Sequence, residues 1–125
     1  MAFYFDILKT MKNTQAVSIL AALAQESRLA VFRLLIARGP GGLAAGKIAA
    51  ELDIVPATLT FHLKELERAG LVSSRQEGRF VYYAANFRTM NDLVSFLSSN
   101  CCGGNPCLPA VSVSSQSLNR TKAAS

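Results

Sequence analysis

Three cysteines, Cys101, Cys102 and Cys107, fall within the stretch Cys101-Cys102-Gly103-Gly104-Asn105-Pro106-Cys107, and the chain has no others. Thiolates are soft ligands that select soft, thiophilic ions. Two adjacent cysteines point about 100° apart in a helix and to opposite faces in a strand, so they converge on one ion only in an irregular turn. Gly103-Gly104 supplies that freedom, and Pro106 holds Asn105 extended and limits how Cys107 can fold back. The single histidine, His62, lies far upstream. With one histidine, no Gly-rich phosphate loop and no paired acid–base candidates, the chain does not read as an enzyme.

The cluster has to be positioned by the rest of the chain, whose 125 residues fit one domain with tails. Half the residues are hydrophobic, enough for a core, and the net charge of +5 fits a polyanionic partner without requiring one. No apolar run approaches the roughly 18 residues needed to span a bilayer. The first residues, Met1-Ala2-Phe3-Tyr4-Phe5-Asp6-Ile7-Leu8-Lys9, have no basic leader or small-residue cleavage site. A cytoplasmic protein with reduced thiols is the expectation, and an odd number of clustered cysteines argues against a disulfide scaffold.

Residues 1–12 read as an apolar arm. Thr14 to Gln25 carries a helical stripe of Ala16, Val17, Ile19, Leu20 and Leu23. Ser27 is placed to cap a second helix whose buried face is Leu29, Val31, Phe32, Leu34, Leu35 and Ile36, ended by Gly39-Pro40-Gly41-Gly42. Leu43 to Leu52 reads as a short third helix and Asp53-Ile54-Val55-Pro56 as a turn. Pro56 suits the first position of a fourth helix, which runs to about Ala69 with Leu59, Leu63 and Leu66 inward and Gly70 as its cap. The period then changes. Leu71 to Arg75 and Arg79 to Ala84 are strand-like around a Gln76-Glu77-Gly78 loop, and Phe87 to Leu97 returns to helix with Met90, Leu93, Val94 and Leu97 on one side. Residues 13–99 thus form the folded domain, 100–107 the cysteine loop, and 108–125 a polar tail expected to be disordered.

Two helices joined by a short turn and followed at once by a hairpin form a winged helix-turn-helix pattern, mainly α with one β-hairpin. In such a unit the second helix lies in the major groove. With Leu59, Leu63 and Leu66 inward, Ala57, Thr58, Thr60, Phe61, His62 and Lys64 are the candidates for its outer face. Hydroxyls and imidazole contact phosphates or base edges, and a threonine methyl meets a thymine methyl. Arg75 and Arg79 flank the hairpin tip, where a wing follows the neighbouring backbone. Taken singly these features are ordinary, since a lone histidine is more often structural and a threonine-rich face more often solvated. Their order is what points to operator DNA as a partner.

The run Thr58-Leu59-Thr60-Phe61-His62-Leu63-Lys64-Glu65-Leu66-Glu67-Arg68-Ala69-Gly70-Leu71-Val72, continued by Arg75-Gln76-Glu77-Gly78-Arg79-Phe80-Val81-Tyr82-Tyr83, resembles the recognition helix and wing of the ArsR/SmtB family. Leu20 to Leu29 resembles that family's entry into its second helix, and the likeness spans roughly residues 15–97. It implies a homodimeric repressor that leaves DNA when a metal or metalloid binds, with the first and last helices forming the dimer interface. The chain departs from the family's best-known sensing sites. The helix before the recognition helix reads Lys47-Ile48-Ala49-Ala50-Glu51-Leu52, without the Cys-x-Cys pair of arsenic sensors, and on the last helix Asp92 stands without the histidines of zinc sensors. If the chain senses a metal, Cys101, Cys102 and Cys107 must do it.

Three thiolates with no histidine, carboxylate or fourth sulfur suit a three-coordinate pyramidal ion, trivalent arsenic or antimony, whereas zinc wants a fourth ligand. Some arsenic-responsive members of the family use a C-terminal cysteine trio, in agreement with that chemistry. The expectation is therefore an arsenite-responsive repressor, with antimonite as a second effector and no permanent cofactor. Sensing of oxidants by thiols, or of zinc, cadmium or lead, is the alternative.

Overall fold

The computed structural model describes residues 11–100 together with Gly103. Most of the 1–12 arm, the three cysteines and the 108–125 tail lie outside the described residues. The elements run α1 (Asn13–Leu23), α2 (Glu26–Arg38), β1 (Leu43–Ala44), α3 (Ala45–Leu52), α4 (Pro56–Arg68), β2 (Val72–Glu77), β3 (Phe80–Ala85) and α5 (Phe87–Ser98). This is a winged helix-turn-helix in the expected element order, with one addition. Leu43 and Ala44 form a short strand that pairs antiparallel with β3, Leu43 opposite Tyr83 and Ala44 opposite Tyr82. The sheet therefore has three strands in the order β1-β3-β2 rather than two.

Gly42 makes that third strand possible. Its φ of +75° is a conformation that L side chains rarely adopt, and a Cβ there would run into the Tyr83 backbone carbonyl. The wing also differs in register from the expected three-residue loop. Glu77 pairs with Phe80, leaving Gly78-Arg79 as a two-residue loop with Gly78 at φ +64°. Arg79 thereby sits at the tip itself.

The core is built by α2, α3 and α4 against the base of the sheet. Val31, Leu35, Ile48, Leu59, Leu63, Leu66 and Leu71 are all fully buried. Each apolar side chain removed from water contributes roughly 1.5–3 kcal/mol, so this cluster fixes α4 far more firmly than its own helix propensity would.

Local chemistry sets the helix ends. The second helix is capped by Gln25, whose side chain accepts from the Arg28 N–H at 2.9 Å, and Ser27 lies inside the helix. Leu29, expected on the buried face, is exposed. Pro56 occupies the first turn of α4. That helix closes in a Schellman pattern around Gly70, with the Leu71 N–H donating to Leu66 at 2.9 Å and the Gly70 N–H to Glu67 at 2.9 Å. The Thr89 hydroxyl donates to the Gly70 carbonyl at 2.8 Å, which ties α5 to the same corner.

Candidate nucleic-acid interface

The turn between α3 and α4 is set by Asp53, which takes the left-handed conformation at φ 54°, and by the Ile54 N–H donating to Ala49 at 3.0 Å. From there α4 projects with Leu59, Leu63 and Leu66 inward and Ala57, Thr58, Thr60, Phe61 and Lys64 exposed. Ala57, Thr60, Phe61 and Lys64 follow the i, i+3, i+4, i+7 spacing of one helical stripe. Phe61 is 57% exposed, a large apolar ring on an outer face.

His62 is a correction to the sequence expectation. Its side chain is buried, on the inner side of α4 with the leucines. Helical period puts it there, since Leu59, His62, Leu63 and Leu66 follow one i, i+3, i+4, i+7 stripe, and a tertiary contact then satisfies the buried ring. Arg28, at the start of α2, brings a guanidinium nitrogen within 3.3 Å of His62 Nδ1, while its Nε donates to the Ala22 carbonyl at 2.7 Å. One side chain thus joins the end of α1, the start of α2 and the middle of α4. Burial holds the imidazole pKa below the usual 6.5, and the neighbouring Arg28 charge lowers it further. A neutral ring accepting from Arg28 fits both effects. No sequence pattern marked Arg28 for this role, because its partners lie at Ala22 and His62 and meet only in the folded chain.

On the wing, the Arg75 guanidinium lies 4.9 Å from the centroid of the Tyr82 ring, its cross-strand neighbour, and its Nε pairs with Glu77 at 2.6 Å. Stacking and pairing together preorganise Arg75 and partly neutralise it. The cation at the hairpin tip is Arg79. Ser74 donates to Glu67 at 3.0 Å, which ties the wing to the C-terminal end of α4.

The first and last helices also carry exposed apolar side chains. Val17 and Leu20 on α1, and Val94 and Leu97 on α5, are all between 41% and 63% exposed. Both helices border one cavity of about 400 Å³, lined among others by Ser18, Ile19, Thr89 and Asp92. Among the described residues no three His, Cys, Asp or Glu side chains converge to hold a metal ion. No described helix is long and apolar enough to cross a membrane.

A family model described as a helix-turn-helix domain matches residues 23–75. The uncharacterized HTH-type transcriptional regulator YceK of Bacillus subtilis is 34% identical over 82 residues, covering 66% of this chain and 81% of YceK. The structure of HlyU from Vibrio cholerae, a transcriptional activator solved also as reduced HlyU, aligns at 30% identity and a TM-score of 0.57, over 70% of this chain and 97% of HlyU. The homodimeric winged helix-turn-helix DNA-binding domain of Mb0332 from Mycobacterium bovis, described as a possible ArsR-family regulator, aligns at 29% identity and a TM-score of 0.56, over 70% and 81% of the two chains.

Proposed function

The chain belongs to the ArsR/SmtB-type winged helix-turn-helix transcriptional regulators, and we propose that within them it is an As(III)-responsive repressor, with Sb(III) as a second effector. The observation that carries this is the donor set. Cys101, Cys102 and Cys107 are three thiols within one short segment directly after α5, with no fourth ligand in that segment. Three thiolates complete the shell of a pyramidal trivalent ion and leave zinc one ligand short.

Operator DNA is bound by a homodimer through the outer face of α4, with Ala57, Thr58, Thr60, Phe61 and Lys64 toward the groove and Arg79 and Arg75 along the backbone. His62 acts behind that face, as the group through which Arg28 steadies α4. The exposed apolar side chains of α1 and α5 pack against a second copy, in keeping with the homodimeric relative. The two recognition helices then address half-sites about 34 Å apart. As(III) held by the cysteines ties the end of α5 to the following loop. Because α5 contributes to the dimer contact, the tie alters how one protomer sits on the other. Each 1.4 kcal/mol of preference for the DNA-free arrangement weakens operator binding tenfold.

The test is a gel shift with the protein's own promoter, with and without arsenite. The retarded band should disappear with arsenite for the unaltered chain and persist for Cys101→Ser. Loss of DNA binding in Cys101→Ser itself would count against separate roles for the two segments. A thiol redox switch is the second reading, favoured by the likeness to HlyU, whose structure was solved in a reduced form. It predicts release by peroxide, reversed by a thiol reductant, and no response to arsenite.

A further inference from the structure

We infer that the N-terminal half of α4 recognises thymine methyl groups in the major groove, so that each operator half-site carries thymines facing Ala57, Thr60 and Phe61. The inference rests on the DNA-binding reading above and adds to it which base feature is read.

The side chains themselves lead there. From Ile54 to Leu63 the chain contains no Arg, Lys, Asn, Gln, Asp or Glu. Guanine is read by Arg or Lys, adenine by Asn or Gln, and cytosine by a carboxylate accepting from its amino group. None of these is available on this half of the helix, and the first long polar side chain on the exposed stripe is Lys64. His62, the one imidazole, is withdrawn into the core beside Arg28. The Thr60 hydroxyl donates back to the Pro56 carbonyl at 3.0 Å. With its one hydrogen engaged, Thr60 offers a partner its γ-methyl and an acceptor oxygen.

The face that remains is a methyl at Ala57, a methyl at Thr60 and the 57%-exposed ring of Phe61, on adjacent turns of one stripe, with the exposed Thr58 beside them, whose hydroxyl suits any base and so selects none. Alanine, threonine methyl and phenylalanine are the side chains that meet the thymine C5-methyl by apolar contact. A lone exposed apolar residue needs no explanation. Here the exposed apolar groups stand where a helix-turn-helix presents its base-reading residues, and the long polar side chains that discriminate the other bases are missing, with His62 turned away.

Replacing thymine by deoxyuridine removes the methyl and leaves pairing intact, so it isolates this contact. The full-length protein would first be used to select its site from randomised duplexes at fixed salt. Each thymine of the selected half-site would then be replaced singly, with affinity read by fluorescence anisotropy. At one or more half-site positions, loss of the methyl should weaken binding about fourfold, the size expected for one buried methyl group. Uracil outside the half-sites should change nothing. Phe61→Ala and Thr60→Ser, the latter keeping the hydroxyl bond to Pro56, should bind the selected site more weakly and each lose sensitivity to uracil at one position. Unchanged affinity for every uracil-substituted half-site would overturn the inference, as would full uracil sensitivity in both variants. If no duplex is bound above the non-specific level, the DNA-binding reading itself falls, which is distinct from failure of thymine recognition alone.

Discussion

Arg28→Met should loosen the junction that holds the recognition helix. The aliphatic part of the side chain survives in methionine, so packing changes little. What is lost is the 2.7 Å charge-assisted hydrogen bond to the Ala22 carbonyl and the guanidinium beside His62. The carbonyl belongs to the last turn of α1, where helix carbonyls lack partners of their own. Hydrogen bonds to charged groups contribute about 1.5–3 kcal/mol, and because Arg28 is only partly buried the lower end applies. A loss of about 1.5 kcal/mol lowers the thermal midpoint of a domain this size by roughly 6–12 °C. The same substitution alters the acid limb of stability. His62 has a folded pKa below its unfolded 6.5, so the unfolded chain binds the proton more readily. The associated stability is complete above pH 6.5 and is lost as pH falls through the folded value. Without Arg28 the imidazole pKa rises toward 6.5, although burial still depresses it, so the further loss on acidification should shrink. Urea denaturation at pH 8 and at pH 5 measures both effects. A variant as stable as the parent at pH 8, with an unchanged difference between the two pH values, would refute the bridging role of Arg28.

Gly42→Ala should cost upwards of about 2 kcal/mol, since an alanine must adopt a left-handed conformation and its Cβ meets the Tyr83 carbonyl. A change under about 0.5 kcal/mol in urea would show that β1 can be re-routed. Arg79→Ala should weaken binding to specific and non-specific duplexes alike and reduce the slope of log K against log salt by about 1. An unchanged slope removes Arg79 from the phosphate contacts. Arg75→Ala should have a smaller effect on that slope, because Glu77 already offsets its charge.

Much of this fold was legible because the apolar spacing and the tertiary packing agree. Leu59, Leu63 and Leu66 repeat at helical intervals and are buried together. Pro56 and Gly70 occupy the ends their backbone chemistry suits. The last helix, expected from Phe87 to Leu97, runs Phe87–Ser98. Two of the misses come from interactions that local pattern does not contain. A strand of two residues, Leu43–Ala44, has no period to detect, and its existence depends on β3 passing beside Gly42. The wing tip moved because Gly78 takes the first of two loop positions, which shifts Arg79 from the strand to the turn. His62 is a different case: with Leu59, Leu63 and Leu66 it follows the i, i+3, i+4, i+7 spacing of the buried stripe, so its side was legible in the helical period, and only its partner Arg28 was not. The outer face of α4 was otherwise read correctly as to exposure, for Ala57, Thr58, Thr60, Phe61 and Lys64.

In the function proposed above, operator DNA and As(III) compete through one coupled equilibrium. The most direct test is to titrate the full-length protein with arsenite in the absence and in the presence of saturating operator duplex. If binding at Cys101, Cys102 and Cys107 drives release, operator must weaken arsenite binding by the same factor by which arsenite weakens operator binding. Equal arsenite affinities in the two titrations would show that the cysteines and the operator-binding face are not coupled.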